Sequence, residues 1–275
     1  MKKDIILKNL FRIISYIVFI IIIMIFFLVI FDGIKYFSLD FFTKFPMNGM
    51  TSGGIFPAIL GSFLVLLITL IISIPIGVLT GVFMSEYGGN SFFGRLLDVS
   101  ITSLSGVPSI VFGLFGLAVF SITFQFGTSL IAGSLTLAVM TLPVISSSVR
   151  EALVAVPNTL RESAYALGAK KTEVIFKVLI PAAKSRILTA VLIGSGRILG
   201  ETAPIILTGA TFYLTRLPKG LKDPIMTLPS HIYFISMAYG NDAQWMAKAT
   251  ASFLMLFILI IYIIAFNIRR KLNAK

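Results

Sequence analysis

The chain has 275 residues, 57% of them hydrophobic and 12% charged, with no cysteine, one histidine and a formal net charge of +12. Soluble domains are about 45–50% apolar, and a chain this apolar cannot hide its surface from water in one globule, so it falls in the membrane class. Absent cysteines exclude disulfides and thiolate metal sites, and His231 alone cannot build a histidine metal site.

Ile13–Phe31 is an uncharged run of 19 residues. At about 1.5 Å per residue it crosses a hydrocarbon core of about 30 Å with its flanks. Lys2, Lys3 and Lys8 before it raise a signal-peptide reading, but no small-x-small cleavage site follows Phe31 and the run is too long for a signal core. It reads as an uncleaved anchor. A second span lies within Ile55–Met84, with a bend expected at Pro75 and a flat face at Gly77 and Gly81 for close helix approach. Val99–Val149 then runs 51 residues without a charge. That suits two crossings joined by a neutral hairpin near Gln125–Thr128.

A charged segment follows, at about 150–186. Thr159-Leu160-Arg161-Glu162 has the capping-box pattern behind Pro157, which predicts a short helix from near Leu160. Gly168 is suited to end it, Lys170 and Lys171 mark a solvated bend, and a second helical stretch runs until Pro181 breaks it. That stretch puts Val174, Ile175, Val178 and Leu179 on one face. The expected product is a helix–turn–helix with an apolar knob rimmed by charge, shaped for a groove in a partner. A plain amphipathic connector is the alternative.

The fifth span is expected over Arg186 to about Thr211, and it contains Arg197 and Glu201. Each charge at the bilayer centre costs about 2.5–3.5 kcal/mol. The i, i+4 spacing lets the two pair on one helix face. Gly194, Gly196 and Gly200 keep the helix thin around them. Arg197 offers charge and forked donors to an oxyanion, with Glu201 as its restraint or gate. With Thr202 they form the candidate translocation pathway; an ion pair serving assembly alone is the alternative. Thr102, Ser103, Ser105, Ser109 and Ser146–Ser148 are weaker candidates, since such hydroxyls often bond to their own helix.

Thr250–Ile268 is the sixth span, with Trp245 as an interfacial anchor. Six crossings put both termini on one side. Sixteen of the 23 basic residues fall on that side, six on the other, and Arg197 within a span. This positive-inside bias makes that side cytoplasmic and removes the nucleic-acid reading of the charge. No Gly-x-x-x-x-Gly-Lys-Ser/Thr run occurs, so ATP would be bound by another chain. No catalytic residues are assigned, because no span holds paired carboxylates.

Arg161–Pro181 resembles the signature loop of bacterial ABC importer permeases: Glu-Ala-Ala, three residues, Gly, nine residues, then Ile-x-Leu-Pro. Glu162, Ala164, Gly168 and Pro181 match in type and spacing, Val178 and Ile180 are near-matches, and Ser163 replaces the middle Ala. Met84–Gly88, Ser105–Leu114 and Gly200-Glu201-Thr202-Ala203-Pro204 are similar to phosphate-specific ABC transporter permeases of the PstA type. The resemblance runs from about Ile55 onward. It implies an all-α type I importer permease fold in a bacterial plasma membrane, with an anchor and outer loop at 1–54 and the permease domain at 55–275. It assigns Glu162, Ala164, Gly168, Val178, Ile180 and Pro181 to coupling, and Arg197 and Glu201 to passage of the anion. The implied partners are a second homologous permease, a homodimeric ATPase that binds ATP and Mg, and an extracytoplasmic phosphate-binding protein. This chain itself would hold no cofactor or metal. Permeases for sulfate or molybdate share the architecture, and a membrane scaffold or signalling subunit is a further reading.

Overall fold

The uncharged runs become long helices. The computed structural model describes residues 2–89, 91–240 and 242–273. Helix α1 (Lys2–Ile34) is followed by the short α2 (Leu39–Thr43) and a two-residue antiparallel pair, β1 (Pro46–Met47) with β2 (Ser52–Gly53). Next come α3 (Phe56–Phe83), ending in a π-helical turn at Met84–Gly88, then α4 (Phe92–Ser105) and α5 (Ser109–Gly116), which extends π-helically over Leu117–Thr123. Helix α6 (Leu130–Val154) leads into the charged segment, made of α7 (Asn158–Ala166), α8 (Lys171–Glu173) and a π-helical stretch, Val174–Leu179. That stretch runs on into α9 (Ile180–Gly200). The short α10 (Ala203–Thr208) and α11 (Leu228–Tyr239) precede α12 (Gln244–Asn273).

Among the described residues, four helices are long and apolar enough to cross a membrane: Leu7–Ile34, Phe56–Gly88, Leu130–Val154 and Gln244–Lys271. Phe92–Ser105 with Ser109–Thr123 makes a fifth when this bent pair counts as one span. Helix α9 is 21 residues long, about 30 Å at 1.5 Å per residue. Its length suits a sixth crossing, but Lys184, Arg186 and Arg197 keep it from qualifying on apolarity.

The structure departs from the sequence expectations at several points. The third span is bent by 107° between Ser105 and Ser109, because Pro108 has no N–H and disfavours helical backbone at Val107. The fifth span does not run to Thr211. It stops at Gly200, with Glu201 extended at ψ 130°, since the ring of Pro204 would strike the carbonyl four residues back. The neutral hairpin is present, with positive φ at Gln125 (56°) and Gly127 (63°). Helix α11 was unforeseen, and α3 passes through Pro75 unbroken.

Packing follows the small residues. A Cβ on Gly77 would sit 2.6 Å from Ile145 Cγ2, and one on Gly81 2.7 Å from Val149 Cβ. Helices α3 and α6 therefore meet almost backbone to backbone, as membrane helices do where small residues face each other. One apolar cluster, with Phe41, Met50, Ile55, Leu228 and Met246, fills the end away from α7. A second, with Val65, Leu137, Met140, Leu199 and Ile205, fills the middle. A third, with Val82, Val149, Leu153, Val174, Ile175 and Leu179, fills the α7 end. Helix α1 stands apart: every residue from Leu7 to Ile25 is exposed. It touches α12 near its end, where Ser252 Oγ donates to the Val29 carbonyl at 2.5 Å.

Candidate coupling and translocation sites

The charged segment folds as a helix–turn–helix, but not with the expected outer face. Helix α7 starts at Asn158 behind Pro157 with no side-chain cap, so the capping box expected at Thr159 does not form. Proline at the cap has a fixed φ suited to starting a helix two residues earlier. A reciprocal bond appears later: the Lys170 N–H donates to Glu173 Oε2 at 3.1 Å. Lys177 Nζ donates to Glu173 Oε1 at 2.9 Å, and these contacts, Lys177 first, hold the Glu173 carboxyl below its usual range.

Gly168 ends α7 at φ +82°, with nothing within 4 Å of a Cβ built there. Its need for glycine is therefore conformational. The Ala169 N–H closes back onto the Ala164 carbonyl at 3.1 Å, the closure of a helix ended by a left-handed residue. Pro181 does not break the second helix. It lies in the first turn of α9, and the preceding π-helical stretch absorbs its missing N–H.

Val174, Ile175 and Leu179 face inward, buried against Leu153 and Val156 of the chain's own core. They cannot form an outward knob. The outward apolar groups are Leu167, 89% exposed, and Phe176, 60% exposed, with Leu160 and Tyr165 beside them. Of the six coupling candidates, Glu162, Gly168 and Pro181 are exposed, Val178 is half-buried, and Ala164 and Ile180 are half-buried against the core.

One group that the sequence reading passed over joins this segment to the bundle. Arg161 Nη2 lies 3.1 Å from Glu86 Oε1, with side-chain exposures of 17% and 9%. The signal was present, since Glu86 is a charge at the end of an apolar span within Met84–Gly88.

The second site is the break after α9. Arg197 Nε is 3.6 Å from Glu201 Oε1, and their side chains are 35% and 16% exposed. Arg197 is helical, whereas Glu201 lies just past the helix end and donates its N–H to the Ile198 carbonyl at 3.3 Å. The pair forms as expected, but across a helix terminus rather than along one face. Thr202 is half-buried at the start of α10, its carbonyl accepting from the Ile206 N–H at 3.0 Å. Behind Glu201 lies a void of about 10 Å³ lined by Ser62, Leu199, Ile205 and Thr227. That is room for one water and not for an oxyanion. Gly196 abuts Tyr262 of α12, 1.9 Å from a built Cβ, while Gly200 faces open space. Among the weaker candidates, Ser105 and Ser147 bond to the carbonyls of Ile101 and Pro143 at 2.8 Å, serving their own helices.

Residues 73–274 match the family described as the binding-protein-dependent transport system inner membrane component. The chain belongs to that family. It is a multi-pass membrane transport permease and not an enzyme. It is 35% identical over 233 residues to the phosphate transport system permease protein PstA of Haemophilus influenzae, covering 85% of this chain and 82% of that protein. A probable PstA of Methanocaldococcus jannaschii is 32% identical over 220 residues, covering 80% and 77%. The probable ABC transporter permease protein YqgI of Bacillus subtilis is 33% identical over 256 residues, covering 88% and 85%. Among solved structures, the bacterial alginate ABC transporter bound to its periplasmic protein aligns with a TM-score of 0.65 at 17% identity, covering 98% of this chain and 96% of that one. The inward-facing MetNI methionine transporter aligns at 0.62 and 20%, covering 80% and 94%. At such identities the two structures fix the fold alone.

Proposed function

We propose that this chain is a phosphate-translocating permease subunit of an ATP-driven importer. The observation that carries the substrate is its 35% identity, over most of its length, to a phosphate transport permease. The Arg197–Glu201 break supports the same reading. A part-exposed guanidinium offers forked donors to a tetrahedral oxyanion, and one carboxylate at 3.6 Å competes with it. Binding is thereby kept weak enough for release.

In this reading the chain pairs with a second, homologous permease. A homodimeric ATPase binds ATP and Mg and docks on α7, Gly168 and the exposed Leu167 and Phe176, with Glu162 at the rim. Ala164, Val178 and Ile180 brace the docking surface from behind, and the exposed Pro181 starts α9 beside it. A phosphate-binding protein delivers the anion from outside, and both termini face the cytoplasm of a bacterial plasma membrane. Residues 1–54 serve as anchor and outer loop, and 55–275 as the permease domain.

The test is uptake into proteoliposomes holding this chain, its partner permease and the ATPase, with the binding protein outside. Phosphate uptake that needs both ATP and binding protein is the expected result. Uptake of sulfate or molybdate in its place discards the substrate, and no uptake by an assembled complex discards the transport reading.

A further inference from the structure

The Arg161 guanidinium of α7 reaches two other parts of the chain as well as its own helix. Nη2 donates to Glu86 Oε1 at 3.1 Å and to the Leu153 carbonyl at 2.8 Å. Nη1 donates to the Val156 carbonyl at 2.8 Å and to Asn158 Oδ1 at 3.2 Å. Leu153 is in the last turn of α6, its carbonyl also accepting from the Val156 N–H at 3.1 Å, and Val156 lies just beyond the helix end. One side chain thus joins the end of α6, the start of α7 and the end of α3.

Glu86 is held from its own side as well. Ser85 Oγ donates to Glu86 Oε1 at 2.8 Å. Lys171, across the turn from α7, donates its Nζ to the Glu86 carbonyl at 2.6 Å and sits 4.1 Å over the ring of Tyr87. The two halves of the helix–turn–helix therefore grip one turn of backbone, Ser85–Tyr87. That turn is π-helical, and so is Val174–Leu179 just past Lys171. Wide turns are where a helix yields without unfolding. The polar contacts thus fall on one π-helical turn and just before another.

We propose that Glu86 and Arg161 are a positioning pair which ties the 158–181 loop to α3 and α6, so that displacement of the loop moves both helices together. In this proposal the two residues act by positioning alone. Without the tie, the loop keeps only the Lys171 bond to the Glu86 carbonyl and apolar contact with the end of α3, which is non-directional. The pair has its charges largely desolvated and meets through one charge-assisted Nη2–Oε1 bond, while Nη1 anchors the guanidinium to Val156 and Asn158. This inference rests on the transport reading above and names the residues through which that transport is geared.

The test measures phosphate delivered per ATP hydrolysed by the complete reconstituted complex, in wild type, Glu86→Gln, Arg161→Gln and the double variant. Wild type must first transport phosphate; its failure would count against the transport reading and not reach the tie. With wild type active, Glu86→Gln in an assembled complex is expected to lower the ratio by about 2- to 30-fold, the span of changes along coupling networks. The double variant is expected to be no worse than the poorer single one, as for two halves of one contact. An unchanged ratio in Glu86→Gln, or losses that simply multiply, overturns the pair as a coupling element. Should Glu86→Gln not assemble, Lys171→Met removes a second grip on the same turn from an exposed position. It is expected to lower the ratio in the same direction, and an unchanged ratio in Arg161→Gln, which removes the other half of the pair, overturns the proposal. A purely structural role would reduce the amount of complex and leave the ratio of the remainder intact.

Discussion

Gly168 isolates the shape of the coupling turn from its contacts. Its φ is +82°, and a Cβ built there meets nothing within 4 Å, so substitution by alanine adds no clash and costs backbone strain alone. For an L-residue in the left-handed region that strain is about 1–2 kcal/mol, a factor of about 5–30 in the population of the observed turn. Asparagine tolerates this region better than other side chains and should cost less. Proline fixes φ near −65° and also removes the N–H that bonds to the Tyr165 carbonyl at 2.9 Å, so it should forbid the turn outright. Uptake-linked ATP hydrolysis in proteoliposomes is therefore expected to fall in the order Gly, Asn, Ala, Pro, with amounts of assembled complex unchanged. Two results refute the reasoning: alanine equal to glycine, or asparagine as poor as alanine. The first would mean that the turn is not the active shape. The second would mean that bulk rather than φ is decisive, against the open space around the residue.

Glu201→Gln removes the competing charge 3.6 Å from Arg197 while keeping the shape, so radiolabelled phosphate should bind the assembled complex more tightly and be released more slowly, with uptake reduced; unchanged uptake would leave the pair with a role in assembly alone. Gly81→Leu places a side chain where even a Cβ comes within 2.7 Å of Val149, and overpacking of this kind costs about 1–3 kcal/mol. The complex should lose thermal stability in detergent, and a melting point equal to wild type would contradict the close α3–α6 contact.

The architecture was legible where it depends on long uncharged runs and on Gly and Pro, since bilayer thickness and backbone sterics act on composition directly. The Gln125–Thr128 hairpin, the Gly77–Gly81 face and the stop at Gly168 came from such local rules. Tertiary choices were not legible. Periodicity placed Val174, Ile175 and Leu179 on one face, but only the position of the α6 end decides that this face points inward. The partnership of Arg161 with Glu86 spans 75 positions in sequence, and no spacing rule reaches that far. Helix α11 was missed because, at 12 residues, it is too short to be read as a span and lies in a region taken for a loop.

The broken fifth span matters more than the pair it carries. Helix α9 begins at the compliant π-helical stretch of the coupling segment and ends at Glu201, so one stiff rod of about 30 Å joins the two sites. Beyond the break, α10 is fixed elsewhere. Its last residue accepts the Ser129 N–H at 3.0 Å from the start of α6, and Pro204 lies against Gly113 of α5, 2.9 Å from a built Cβ. Arg197 is part of the rod, whereas Glu201 sits at the joint. In the proposed transport reading, a shift of α9 against the fixed α10 bends the chain at Glu201 and so bears on the Arg197–Glu201 contact. A continuous helix, as the i, i+4 spacing alone implies, would have kept the two charges at constant distance through any such movement. In the proposed transport reading, the proline that ends α9 is what lets the ion pair respond to the loop.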